Sequence, residues 1–180
     1  MKKCLLVVSV MLFLAGCQNS STVREVTGAN NFVSLEGARL VLNQPLSIGP
    51  AKARVFVQNG AAGYGFDSYQ PHCAFEIASI NHEGAVIEAD TFAITRVQGS
   101  VQQVVSTEPV RLAGLLVIGG IDGGGSQSYY SGYHFWLSSM DQPGVRRMSC
   151  YGVYAQPYEL YPPTLQEIRQ VLGAIAEIRQ

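Results

Sequence analysis

Apolar and polar residues alternate along much of the chain in the two-residue period of β-strands. The segment 54–58 (RVFVQ) alternates in this way and ends before an Asn-Gly turn signal. In 73–77 (CAFEI), the first, third and fifth residues are apolar, so they share one face of an extended strand and place Cys73 inward. The pattern predicts half-buried strands of an antiparallel sheet.

Other short segments between residues 32 and 155 have the same character. They are 33–42, 85–88, 91–98, 101–106, 115–119, 133–137 and 146–154. Gly99-Ser100 is predicted to join two of them as a hairpin, and 115–119 (LLVIG) is apolar throughout, as a buried central strand would be. Strands of this number and spacing predict a mainly β fold, either an antiparallel β-sandwich or a small barrel.

The C-terminal residues change to a helical period. Thr164 and Glu167 form a T-x-x-E capping box directly before LQEIRQVLGAIAEIRQ, in which apolar residues recur at helical spacing. This predicts one amphipathic helix over about 164–179, packed on the sheet. Gly173 costs about 1 kcal/mol relative to Ala inside a helix, and is interpreted as a point of close contact with the sheet.

The first residues are unlike the rest of the chain. Lys2 and Lys3 precede an apolar run from Cys4 to Phe13. This run is too short for a permanent membrane span, which needs about 20 apolar residues, and it has the length of the apolar part of a signal peptide.

The four residues that end this leader carry a resemblance. Leu14, Ala15, Gly16 and Cys17 are similar to the lipobox of bacterial lipoprotein precursors. The resemblance implies cleavage before Cys17, a diacylglycerol on its thiol and a fatty acid such as palmitate on the new amino group. Gln18, which is not Asp, implies an outer-membrane lipoprotein whose domain faces the periplasm. The alternative is an ordinary secretory signal that ends in Cys.

These features divide the chain into three parts. Residues 1–16 are the predicted lipoprotein signal peptide, 17–31 the lipidated Cys and a flexible polar tether, and 32–180 a single β-rich domain. Without Lys2 and Lys3 the chain has 10 Lys and Arg against 13 acidic residues, a net charge of −3. The sequence shows no basic footprint for nucleic acid, and it predicts no nucleic-acid partner.

Two cysteines remain once Cys4 leaves with the leader and Cys17 carries the lipid. Cys73 and Cys150 are predicted to form a disulfide, because disulfides persist in oxidising compartments. The alternative is two separate buried thiols. Since no C-x-x-C or C-x-x-H spacing is present, a structural zinc site has no support, and neither metal nor cofactor is predicted.

Few patterns indicate catalysis. The glycine-rich segment 119–126 lacks the G-K-[ST] ending of a phosphate loop, so it is interpreted as a loop between strands. Glu88 and Asp90 have strand parity, and two nearby carboxylates are the apparatus of glycoside hydrolysis. The more ordinary interpretation is a turn carboxylate before Thr91.

The histidines offer a second candidate for chemistry. His72 and Glu76 would share the outward side of one strand, where they could begin a metal site completed by His82 or His134. The alternative is a solvated polar face.

A tyrosine-rich segment is the candidate binding surface. In 126–136 (SQSYYSGYHFW), Tyr129, Tyr130 and Tyr133 lie among Ser and Gly, a mixture typical of adaptable binding loops. By parity, Phe135 or Trp136 is expected to build core instead.

The sequence therefore predicts a membrane-anchored envelope lipoprotein that is a non-enzymatic binding, accessory or scaffold protein. Its expected partners are the bilayer, through Cys17, and another envelope protein or a glycan, through the loop around 119–134. The alternatives are a cell-wall enzyme that uses the acidic or His residues above, and a small-ligand carrier, which would show a deep apolar cavity.

Overall fold

A computed structural model describes residues 22–26, 31–104 and 128–180. The lipobox, Cys17 and the predicted strand at 115–119 lie outside the described residues. Within these ranges the strands are β1 (Thr22–Arg24), β2 (Phe32–Ser34), β3 (Arg39–Leu42), β4 (Leu46–Ile48), β5 (Lys52–Gln58), β6 (Ala61–Gly63), β7 (His72–Asn81), β8 (Ala85–Ile87), β9 (Asp90–Val104), β10 (Ser128–Ser138), β11 (Val145–Tyr151) and β12 (Ala176–Arg179). A 3-10 turn covers Pro157–Glu159, and the α-helix α1 covers Leu165–Leu172.

Eight of these strands form one antiparallel sheet that curls into a half-barrel. Its order is β12-β3-β9-β10-β11-β7-β5-β6, and the pairs β1-β2 and β4-β8 form two small sheets beside it. The predicted mainly β fold, with a small-barrel or sandwich character and a C-terminal helix, is confirmed. The inner face carries the core, whose largest fully buried side chains include Phe75, Phe92 and Phe135.

Helix α1 packs on the inner side of the sheet. Its buried residues are Leu165, Ile168, Val171 and Leu172. At its C-terminal end the carbonyl of Val171 accepts a hydrogen bond of 2.9 Å from the backbone N–H of Gly60, in the turn between β5 and β6. The helix thus connects the β5–β6 edge of the sheet to β12 at the opposite edge.

The predicted capping box is confirmed, but the predicted length of the helix is wrong. The Glu167 N–H donates to Thr164 Oγ1 at 3.2 Å, and Glu167 Oε2 accepts from the Thr164 N–H at 2.7 Å. The helix ends at Leu172, because Gly173 has φ +54° and ψ −128°, a conformation outside the helical region. Residues 176–179 then pair with β3 as a strand. Ala176 and Ile178 are therefore buried as part of the sheet and not as part of a helix.

The predicted hairpin at Gly99-Ser100 is also wrong. Residues 90–104 form one strand, and Gly99 and Ser100 pair with Tyr133 and Gly132 of β10. The neighbouring strand β10 pairs with β9 on both sides of Gly99 and Ser100. This pairing keeps the two residues in the strand, although both have low strand propensity.

The predicted tether is shorter than 17–31. β1 pairs with β2, and the side chain of Val23 is fully buried opposite the partly buried Val33. The backbone N–H of Arg24 donates to the Tyr133 hydroxyl at 3.2 Å. Residues 22–24 therefore belong to the folded body, because a buried valine anchors them there.

The predicted disulfide is present. Cys73 of β7 and Cys150 of β11 are register partners with Cα atoms 4.0 Å apart, and both are buried. The bond closes a sequence separation of 77 residues between two strands of the sheet centre.

Gly173 is predicted to be sensitive to substitution. A Cβ at this position would lie 2.8 Å from the Gly60 Cα, and the backbone conformation is one that L side chains rarely adopt. Gly173→Ala should lower the free energy of unfolding by about 2 kcal/mol, measured by denaturant titration. Gly144→Ala is the matched control, since nothing lies within 4 Å of its Cβ position, and its effect should stay near zero. Equal effects of the two substitutions would show that close contact with Gly60 is unimportant.

Candidate functional site

His72 and Glu76 share one face of β7, as predicted, but they do not form a solvated polar face. Their exposed fractions are 3% for His72 and 8% for Glu76. Aromatic rings from the β5–β7 connection and from β10 and β11 cover His72, and Arg147 covers Glu76. The outer side of the sheet is therefore covered locally, which strand parity alone does not show.

The imidazole of His72 lies in an aromatic cluster. It stacks on Phe66 at 3.7 Å between centroids, and the rings of Tyr130 and Tyr151 lie at 5.2 and 5.8 Å. Its Nδ1 has no hydrogen-bond partner among the described residues. Burial lowers the pKa of His72 to about 4, and a backbone hydrogen bond with Gln70 acts in the opposite direction. The side chain is consequently neutral at physiological pH.

This burial predicts that the domain loses stability in mild acid. In the unfolded chain His72 gains its proton near pH 6.5, but in the folded protein only near pH 4, so the unfolded state binds more protons between these values. The contribution of His72 to the free energy of unfolding should fall by about 3 kcal/mol from pH 7 to pH 4. Denaturant titrations of His72→Phe should show this part of the pH dependence removed. The exposed His82→Ala variant should keep it, and identical pH profiles for His72→Phe and the wild type would contradict the interpretation.

Four arginines lie on the outer side of the sheet. Cross-strand register places Arg54 of β5 opposite Glu76 of β7, Glu76 opposite Arg147 of β11, Arg147 opposite Trp136 of β10, and Trp136 opposite Arg96 of β9. Directly opposite residues in antiparallel strands point to the same side. The row therefore crosses five neighbouring strands on one face. We call this row, together with Arg146, the arginine face.

Trp136, which is the only tryptophan of the chain, lies among three of these arginines. The guanidinium carbons of Arg96, Arg146 and Arg147 are 4.7, 5.3 and 5.4 Å from its ring centroid. The indole N–H donates to Gln98 Oε1 at 3.3 Å. Cation–π attraction to the ring holds the three positive charges close together despite their mutual repulsion.

A single carboxylate balances part of this charge. Glu76 Oε2 accepts hydrogen bonds of 2.9 Å from both Nε and Nη2 of Arg147. In the described part of the chain, no carboxylate lies within ion-pair distance of Arg54, Arg96 or Arg146. Four arginines against one glutamate leave +3 on this face, whereas the other 8 Lys and Arg and 12 acidic residues of the chain carry −4.

A second row of polar side chains adjoins the first. Ser149 Oγ donates to Glu76 Oε1 at 3.0 Å and lies 2.8 Å from His134 Nδ1. Since the single hydroxyl hydrogen points to Glu76, Nδ1 of His134 carries the proton in this contact. Ser149 is 1% exposed and its hydrogen is engaged, so this Glu-Ser-His chain lacks the accessible nucleophile of a hydrolase. Burial, with a further effect of the Arg147 charge, lowers the pKa of His134.

Glu88 and Asp90 are the alternative candidates for glycoside hydrolysis, and the structure gives the Asp90 carboxylate a structural role in a turn. Asp90 accepts from Ser139 Oγ at 2.6 Å, from Gln142 Nε2 at 3.1 Å and from the Thr91 N–H at 2.6 Å. The hydrogen bond from Ser139, followed by those from Gln142 and Thr91, lowers the pKa of Asp90. The backbone of Glu88 exchanges two hydrogen bonds with the Gln142 amide. Asp90 is therefore the expected turn carboxylate, and its hydrogen bonds stabilise the β10–β11 turn.

The tyrosines do not form the exposed surface that was predicted. Tyr130 and Tyr133 are 4% and 6% exposed, because Tyr130 belongs to the His72 cluster and Tyr133 to the core. Tyr129 is partly buried on β10, where its backbone bridges to Ala155. By parity Phe135 is core and Trp136 faces outward, as the alternation in this segment indicates.

The structure also contains a groove on its surface. A groove of about 730 Å³, open to solvent, runs between the β7–β8 turn and the β10–β11 turn, past Ile80, His82 and Val86. It differs from the deep apolar cavity expected of a small-ligand carrier. In the ranges that the structure describes, no three His, Cys, Asp or Glu residues are placed to share a metal ion, and no helix has the length and apolar character to cross a bilayer.

Known proteins do not identify the role of the arginine face. No protein-family model, curated protein or solved structure matches the chain. Sequence reasoning did not find this face, because its arginines are separated by up to 93 residues, from Arg54 to Arg147. The alternation within each strand predicts which face of the sheet each arginine occupies. It does not predict the register between the strands, which places the arginines in one row.

Proposed function

We propose that this chain is an outer-membrane lipoprotein, anchored through Cys17 with its domain facing the periplasm, that acts as a non-enzymatic binding protein. Its ligand is an anionic envelope glycan, bound on the arginine face. The observation that carries the proposal is the set of guanidinium groups gathered around Trp136 with one carboxylate among them.

The chemistry of the arginine face supports an anionic ligand. Like charges held together raise the free energy of the unliganded protein, and an anion removes that repulsion. Guanidinium groups bind carboxylates and phosphates in a planar, two-pronged geometry. Because the indole ring and Glu76 already hold Arg96, Arg146 and Arg147, little side-chain freedom remains to be lost on binding.

The shape of the face supports an extended ligand. The row from Arg54 to Arg96 crosses four interstrand spacings, which is about 19 Å. This is much longer than one phosphate or carboxylate group. A polymer with repeated negative charges can contact both ends of the row, so a glycan chain fits it better than a small anion.

Binding is tested with alginate, a carboxylated polysaccharide, as the probe and uncharged dextran as its control. The full-length protein in detergent should bind alginate, more weakly as salt increases, and should not bind dextran. Arg96→Ser with Arg146→Ser should weaken alginate binding at least tenfold, which corresponds to 1.4 kcal/mol.

The matched control also removes two positive charges, but at positions outside the arginine face. Arg39→Ser with Arg169→Ser removes two exposed arginines outside the arginine face and should change the affinity less than threefold. Equal losses for the two double variants would mean that net charge alone drives binding. No binding of alginate by the wild type would reject this ligand class.

The anchor has a separate test. Labelled palmitate should be incorporated into the wild type, and Cys17→Ser should abolish both the label and fractionation with the membrane. A Cys17→Ser variant that fractionates as the wild type does, without label in either, would reject the lipoprotein assignment.

A further inference from the structure

We propose that the end of the domain formed by β1 and β2 rests on the bilayer. This anchor-proximal surface consists of Arg24, Val26, Phe32 and Tyr161, and its contact is the headgroup layer of the membrane. The inference rests on the proposed lipid at Cys17, and it adds a second, non-covalent contact with the same membrane.

The first argument is the length of chain outside the fold. β1 begins at Thr22, and the burial of Val23 fixes it to the body. Cys17 and Thr22 are five residues apart, and five extended residues span at most about 18 Å. The start of β1 therefore lies within about 18 Å of the Cα of Cys17, whose thiol carries the proposed lipid.

The second argument is the composition of this surface. In the β1–β2 pair, Val23 and Val33 point to the core, and the register partners Arg24 and Phe32 lie on the other side. Phe32 is 56% exposed, although it is a large apolar side chain next to a valine pair that is packed on the core. In water this exposure is unfavourable, but in the headgroup layer it is not.

The third argument is that Arg24 links the ring of Tyr161 to the β1–β2 pair. Its guanidinium lies 5.3 Å from the Tyr161 ring centroid and donates to the Pro162 carbonyl at 3.2 Å. Tyr161 is 65% exposed and Val26 is 48% exposed. Aromatic side chains are enriched where hydrocarbon meets water, and a nearby arginine is attracted to anionic headgroups. The combination suits a lipid surface that the short tether already brings within reach.

The contact is tested by fluorescence quenching from brominated lipid. Full-length lipidated protein is reconstituted into vesicles of phosphatidylethanolamine and phosphatidylcholine, without anionic lipid that the arginine face could bind, and with or without dibrominated phosphatidylcholine. Phe32→Trp in a Trp136→Phe background places the only indole on the anchor-proximal surface. Its emission should fall at least twofold with brominated lipid, because bromine quenches only at close range. Retention of the wild-type circular dichroism spectrum and unfolding midpoint checks the fold.

The wild type is the matched control, since its only indole, Trp136, lies on the arginine face and should be quenched by less than a tenth. Flotation of the vesicles separates the possible failures. Protein that floats without quenching of the introduced indole overturns the membrane contact but leaves the anchor intact. Protein that does not float rejects the anchor, and the inference fails with it. Absence of quenching together with a crosslinked dimer would mean that a second copy covers this surface, which also overturns the proposal.

Discussion

Replacing both Cys73 and Cys150 by alanine is expected to lower the free energy of unfolding by roughly 4–5 kcal/mol. The bond closes a loop of 77 residues, and chain entropy predicts a stabilisation of this size because the open chain regains that freedom when unfolded. The two cysteines also lie side by side in the buried centre of the sheet. A loss of this size is a large fraction of the stability of a single domain.

Urea unfolding of the detergent-solubilised protein, followed by Trp136 emission, measures this effect. Reduced wild-type protein is the matched comparison, because it breaks the same bond without shortening the side chains. The two should lose stability by amounts that agree to within about 1 kcal/mol, the difference being the cavities left by alanine. A loss below 1 kcal/mol on reduction would mean that the unfolded chain gains little freedom from opening the bond.

Arg147→Met is expected to lower the free energy of unfolding by about 3 kcal/mol. The substitution leaves the Glu76 carboxylate buried, with Ser149 as its remaining side-chain donor. Removing one member of a buried ion pair is costly, whereas replacing both members by apolar residues can be nearly neutral. Adding Glu76→Leu to Arg147→Met should therefore recover most of the loss.

Arg146→Met is the control for this cycle. Arg146 precedes Arg147 and also lies against the Trp136 ring, but it is exposed and has no ion pair with a described carboxylate. Its substitution should change stability by less than 1 kcal/mol, in chemical denaturation under the same conditions. Equal effects of Arg146→Met and Arg147→Met would contradict a special role for the pair with Glu76.

Features set by neighbouring residues were predictable from the sequence. The parity of residues 73–77, the pairing of Cys73 with Cys150 and the Thr164–Glu167 capping box all involve local spacing or simple elimination, and the structure contains each of them. The end of the helix was not predictable in this way. Leu172, Ile175 and Ile178 fit a helical period, but Gly173 leaves the helical conformation and β3 offers an edge for the last residues.

Burial on the outer side of the sheet could not be predicted from alternation. His72 and Glu76 occupy outward positions on β7, yet both are covered by residues distant in sequence. Tyr130 is buried for the same reason, since it packs against His72. Strand parity gives the side of a residue, and only the tertiary fold gives what lies on that side.

The arginine face is the part of the candidate site that most needed coordinates. Arg54, Arg96 and Arg147 lie on three different strands, and their approach depends on the sheet order and on register shifts in β5, β9 and β11. A one-residue change in register would turn a side chain to the opposite face. No local pattern in the sequence carries that information.

The docking of Val23 has a consequence for where this protein can operate. With the proposed lipid on Cys17, a tether of at most about 18 Å and a body of roughly 40 Å would confine every group on the domain to a layer less than about 60 Å deep above its own leaflet. A ligand would then have to enter that layer to be bound. The reach of the domain from the membrane would be set by the burial of Val23 near the start of the fold.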